Sequence, residues 1–146
     1  MKNYREIDHT FLKKAIMKSA ESKKLGLFPA GAIVVQDGKI LSQSVSDTFP
    51  GYAHAECSAI DAAFTVLAKP LTDVILYASM EPCLMCLSRA YNAGIRNIVF
   101  AISRKAVPAR YYEGCHDNAD IVKNLNEPVA YTHVPELERE ALRIVT

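Results

Sequence analysis

Apolar residues recur at Ile7, Phe11, Leu12, Ala15, Ile16 and Ala20, the three-and-four spacing of a single helix face, with Lys13, Lys14 and Lys18 largely off it. The spacing predicts a helix over 7–24. The run Gly31-Ala32-Ile33-Val34-Val35-Gln36 predicts a buried strand. Asp37-Gly38 is a hairpin turn signal, and 39–45 returns as the partner strand. A loop with Asp47, Pro50 and Gly51 leads to a predicted helix over 55–68. After Pro70 the pattern predicts a strand over 73–78, a helix over 83–93 and a strand over 97–101. Residues 103–117, with Pro108 and Gly114, read as irregular. A short helix near 117–125, a strand near 129–133 and a last helix from Pro135 complete the chain.

The hairpin makes one antiparallel pair, while the strand–helix–strand units make parallel neighbours. Together they predict an α/β fold, a three-layer α/β/α sandwich around a central mixed five-stranded sheet. No repeat, low-complexity tract or linker divides the chain, so 1–146 is expected to be a single domain. A chain of this length buries roughly 68–70% of the surface exposed when unfolded, so a metal is not needed to rescue an undersized core.

Charge and cysteine usage narrow the class further. The net charge is +1, and no basic cluster interleaved with aromatics suggests a polyanion partner. The segment 1–24 is lysine-rich, which a solvated helix face explains, and 135–146 is acidic on balance. No apolar run approaches the ~20 residues of a membrane span, and the polar start Met1-Lys2-Asn3 lacks a secretory core. A cytoplasmic location is expected. Cys83 and Cys86 stand together after Pro82, whereas Cys57 and Cys115 lie apart. That spacing suits metal binding better than disulfides, with Cys57 and Cys115 expected as ordinary packed thiols.

Two clusters carry the candidate chemistry. His54-Ala55-Glu56 and Pro82-Cys83-Leu84-Met85-Cys86 each fall where the chain enters a predicted helix. His54, Cys83 and Cys86 supply three zinc ligands and leave the fourth tetrahedral position for water, which distinguishes a catalytic zinc from a closed structural one. Cys83 and Cys86, at i and i+3, point from one face of a first helical turn. There the unpaired N–H groups and the dipole favour thiolates. Glu56, which no ligand set requires, is placed to shuttle protons. H-x-E followed by P-C-x-x-C is the signature of zinc-dependent hydrolytic deaminases, which replace an amino group on an N=C–NH₂ edge by a carbonyl. A thioredoxin-like C-x-x-C leaves His54 and Glu56 unexplained. A structural site needs a fourth ligand, for which His116 beside Cys115 is the spare.

At these residues the chain resembles the cytidine deaminase superfamily, in the branch of guanine, tRNA adenosine and fungal-type cytosine deaminases. The resemblance covers about 30–101, through Ala30-Gly31-Ala32-Ile33-Val34-Val35, His54-Ala55-Glu56, Leu76-Tyr77 and Glu81-Pro82-Cys83-Leu84-Met85-Cys86. It implies one zinc per chain on His54, Cys83 and Cys86, Glu56 as the catalytic proton shuttle, a base contact from the N–H of Ala55, and a homodimer. Two departures stand out. Gln43 occupies the position, eleven residues before His54, where relatives carry a substrate-contacting asparagine; a loop of different length would put Ser42 or Ser44 there instead. The Asp-Pro-Thr common before the motif is replaced by Phe49-Pro50-Gly51-Tyr52-Ala53. Tyr111 and Tyr112 are candidates to cover a flat ring. The substrate expected is a small aminated heterocycle, purine-like such as guanine. The alternatives are adenosine-to-inosine editing of tRNA, a cytosine- or cytidine-type deaminase, and a non-catalytic zinc-binding module.

Overall fold

The computed structural model describes residues 4–49 and 51–146. Met1-Lys2-Asn3, Pro50 and the side chains of Tyr4, Arg5 and Ile7 lie outside the described residues. The chain forms α1 (Tyr4–Lys24), β1 (Gly31–Gln36), β2 (Lys39–Val45), α2 (Ala55–Leu67), β3 (Ile75–Met80), α3 (Leu84–Ala93), β4 (Asn97–Ile102), α4 (Asn118–Lys123), β5 (Ala130–His133) and α5 (Glu138–Val145). The segment read as irregular carries two short 3₁₀ turns, Arg104–Ala106 and Ala109–Tyr111.

The five strands make one sheet in the order β2-β1-β3-β4-β5. β1 is antiparallel to both β2 and β3, and β3, β4 and β5 are parallel. The mixed sheet follows from local chemistry. Asp37 and Gly38 both take positive φ, +49° and +74°, the two-residue turn whose twist suits a tight hairpin. Crossover helices α3 and α4 then force parallel pairing.

Helices cover both faces, and the strand pleat shows which. Ile33 pairs with Tyr77, whose hydroxyl donates to Asp8 on α1 at 2.7 Å. Val34 pairs with Ser42, whose hydroxyl donates to the carbonyl of Ala59 on α2 at 2.6 Å. Successive side chains of a strand alternate faces, so α1 and α2 lie on opposite sides. α5 packs on α1 and β4, and α3 packs on α2. Leu12, Ala15 and Ile16 of the predicted α1 stripe are buried against this sheet. Among the described residues no helix is long and apolar enough to cross a membrane.

Candidate active site

His54 and Cys83 occupy the same structural role at two helix starts. His54 is the N-cap of α2 (φ −64°, ψ 155°) and Cys83 the N-cap of α3 (φ −73°, ψ 174°). Both are extended, so their side chains leave the helical wheel and converge. Because His54 precedes the helix, its ring and the carboxylate of Glu56 share one cavity although they are two residues apart. Cys86 lies one turn into α3 and is fully buried.

The geometry suits one zinc. With Zn–S near 2.3 Å and Zn–N near 2.0–2.1 Å, a tetrahedral site sets each N···S edge at about 3.6 Å. His54 Nδ1 lies 3.4 Å from Cys83 Sγ and 3.6 Å from Cys86 Sγ. Its Nε2 lies 2.7 Å from the carbonyl of Gly51. Donation of Nε2–H there leaves the Nδ1 lone pair toward the sulfurs, the tautomer a metal-ligating histidine needs. Among the described residues this trio is the one cluster of side chains able to hold a metal. Cys115 and His116 are not in it, and no fourth ligand from the described residues closes the site.

Protonation follows the same contacts. Cys83 is pulled down to about 5, first by its hydrogen bond with Cys86 and then by that with His54, against the opposite effect of burial. His54 rises to about 9, chiefly through its hydrogen bond with Cys83, although burial opposes it. Cys86 is pushed up by hydrogen bonds with Cys57 and Cys83 and by burial. Glu56 rises to about 7 because it is buried and faces the charge of Cys83.

The cavity above these groups holds about 280 Å³. Tyr111 lines it, packed edge-on to Phe28 at 5.0 Å and Phe49 at 5.5 Å between ring centroids. Tyr112 also lines it and donates its hydroxyl to the carbonyl of Glu81 at 2.7 Å. Burial pushes the Tyr112 hydroxyl up, so it remains a neutral donor. Ala55 opens α2 fully buried; it can offer a ring only its main-chain N–H, one of those without an intrahelical partner.

Gln43 is not brought to the site. It is exposed on β2 and is not among the residues that line the cavity. Ser42 is committed to Ala59, and Ser44 does not line the cavity either. Ser46 and Asp47, which follow β2, line it instead. Of the two outlying cysteines expected as packed thiols, Cys57 is packed and Cys115 is not. Cys115 is exposed, and Cys57 is buried with its sulfur 3.1 Å from that of Cys86.

Sequence reasoning assigned no role to two further carboxylates. Glu81 accepts from the N–H of Arg104 at 2.8 Å and the hydroxyl of Tyr131 at 2.7 Å, tying the end of β3 to its neighbours. Glu113 accepts from the N–H groups of Leu84 at 3.1 Å and Met85 at 3.2 Å. Those bonds hold its carboxyl below the usual range against the upward push of partial burial. Glu81 stands in the motif and had a signal; Glu113, in an irregular segment, had none.

An α/β/α sandwich that brings one imidazole, two thiols and a buried carboxylate to adjacent helix starts defines the zinc-dependent hydrolytic deaminases. Residues 5–102 match the family described as cytidine and deoxycytidylate deaminase zinc-binding region. A guanine deaminase of Bacillus subtilis (strain 168) is 35% identical over 131 residues, covering 86% of this chain and 81% of that protein. A tRNA-specific adenosine deaminase of Aquifex aeolicus (strain VF5) is 36% identical over 95 residues, 62% of this chain and 63% of that protein. The X-ray structure of guanine deaminase from Bacillus subtilis superposes with a TM-score of 0.66 at 30% identity, over 97% of this chain and 94% of that one. This chain belongs to the cytidine and deoxycytidylate deaminase family. It is a hydrolytic deaminase with zinc as its cofactor.

Proposed function

We propose that the enzyme deaminates a small aminated heterocycle, a nucleobase or nucleoside of purine-like form such as guanine, with release of ammonia. The observation that carries this reading is the cavity. Its volume, about 280 Å³, lies near the lower end of ligand pockets, about 300–1,000 Å³, and suits one flat ring system. Aromatic walls from Phe28 and Tyr111 offer stacking and edge contacts to such a ring. Asp47, Glu56, Glu81 and Glu113 also line it, against Arg110 and His54. Acceptor-rich walls favour a neutral, N–H-bearing ring and repel phosphates.

Zinc held by His54, Cys83 and Cys86 supplies Lewis-acid chemistry that makes water nucleophilic near neutral pH. Glu56 takes the proton from the attacking water and delivers it to the ring nitrogen of the N=C–NH₂ unit. It then takes the remaining proton from the new C–O–H and hands it to the departing nitrogen, so that the C–N bond breaks, ammonia leaves and C=O remains. Burial pushes the Glu56 carboxyl above the usual carboxylate range, toward the proton affinity that a general acid–base group needs in order both to accept and to return a proton. Tyr111 orients the ring, and the buried setting of Glu56 excludes bulk water. The exposed Phe64 and Val66 on α2 support assembly as a homodimer.

An ammonia-release assay over guanine, adenine, cytosine and their nucleosides, with transfer RNA in a parallel arm, tests the reading. Turnover of a free base or nucleoside is expected. Inosine formation in transfer RNA with no small-molecule turnover overturns it.

A further inference from the structure

The geometry points to Asp47 as the positioning residue for the zinc ligand His54, acting through the turn at 51–53. The inference rests on zinc binding by His54 and is independent of which ring is deaminated.

The turn that carries His54 has little else to hold it. Gly51, Tyr52 and Ala53 are all exposed, Tyr52 to 80%. No apolar side chain there is buried, so packing does not define its path. The run between Phe49 and Ala53 contains no carboxylate of its own.

Asp47 supplies one from further back. Its Oδ2 accepts the N–H of Ala53 at 3.0 Å. The backbone at Gly51 lies against the same carboxylate: a Cβ built there would run into both of its oxygens. A larger residue there would have to displace the carboxylate. The carbonyl of Gly51 in turn receives Nε2 of His54 at 2.7 Å, and Nδ1 of that ring faces both ligand sulfurs.

Asp47 is itself anchored in the fold. Its backbone carbonyl accepts the N–H of Phe28 at 2.8 Å, and the N–H of its neighbour Ser46 donates to Ser22 Oγ at 3.1 Å. Hydrogen bonds joined by short stretches of backbone therefore run from Ser22 near the end of α1, through Asp47 and the turn, to the imidazole. Outer partners that orient a ligating histidine commonly change metal affinity by about 10–100-fold when removed.

The test is zinc affinity by chelator competition, with the absorption of the cobalt-substituted protein as a second readout. Asp47→Ala is expected to weaken zinc binding by about 10–100-fold and to shift the cobalt d–d bands. Asp47→Asn keeps an acceptor oxygen at the same place and is expected to restore most of the affinity. Gly51→Ala, which leaves Asp47 intact and crowds its carboxylate, is expected to behave like Asp47→Ala and serves as the measure if that variant does not fold. Parental zinc affinity and cobalt spectrum in folded Asp47→Ala or Gly51→Ala overturn the inference. Since neither readout uses a substrate, failure of the proposed activity leaves this result standing, and the reverse also holds.

Discussion

The sulfurs of Cys57 and Cys86 lie 3.1 Å apart where α2 packs on α3. Both are buried, so water does not compete for the S–H. Once zinc binding has ionised Cys86, the Cys57 thiol would be its donor. Thiols are weak donors, so Cys57→Ala is expected to weaken zinc binding toward the lower end of the about 10–100-fold range for outer partners. Cys57→Ser, which retains a donor, is expected to stay closer to the parent. Equal affinities in all three proteins, by chelator competition, would reduce the contact to packing.

Zinc uptake is expected to release about two protons at neutral pH, because ligands must bind in deprotonated form. His54, at about 9, and Cys86, also raised, carry protons there, whereas Cys83, at about 5, does not. Affinity then falls by about two decades for each pH unit lost between roughly pH 6 and 8. Calorimetry in buffers of different ionisation enthalpy measures the proton count. A pH-independent affinity in that window contradicts the assignment.

Glu56→Gln preserves the shape of the side chain and removes its ability to carry a proton. The variant is expected to keep zinc while losing at least the ~10²–10⁴-fold in kcat typical of a general acid–base group. Metal content and turnover are measured on the same sample. Parental turnover in the zinc-loaded variant removes Glu56 from the mechanism.

Gln43 and Tyr111 are expected to separate cleanly. Gln43→Ala alters an exposed strand position and leaves KM, kcat and stability close to the parent, within about 0.5 kcal/mol for the last. Tyr111→Ala breaks the ring cluster with Phe28 and Phe49. Aromatic pairs contribute ~0.5–1.5 kcal/mol beyond area burial, so KM is expected to rise roughly 2–10-fold with a smaller change in kcat. A substrate-dependent effect of Gln43→Ala would return that residue to the site.

Salt distinguishes the substrate classes. A small neutral ring leaves kcat/KM nearly flat from 50 to 200 mM salt, whereas a polynucleotide held by several phosphate contacts loses affinity steeply. The flat profile is expected, measured on the best small substrate and on transfer RNA in parallel.

The helices and strands were legible because their signals are local. The α1 stripe through Leu12, Ala15 and Ile16 follows from helical period, and the Asp37-Gly38 turn sets the hairpin. The ligand trio was equally legible: His54, Cys83 and Cys86 sit at helix starts whose geometry is set by neighbours in sequence.

Tertiary structure alone decided which other groups meet the trio. Counting back from His54 pointed to Gln43, but the path of the loop brings Ser46 and Asp47 to the cavity, and the two-residue pleat turns Gln43 to solvent. Cys57 pairs with Cys86, and Glu113 caps α3, only because α2, α3 and the segment after β4 pack against one another. Periodicity and motif spacing report what a chain does over one or two turns. Loop length and the packing of distant elements decide which side chains share a cavity, and no local pattern encodes them.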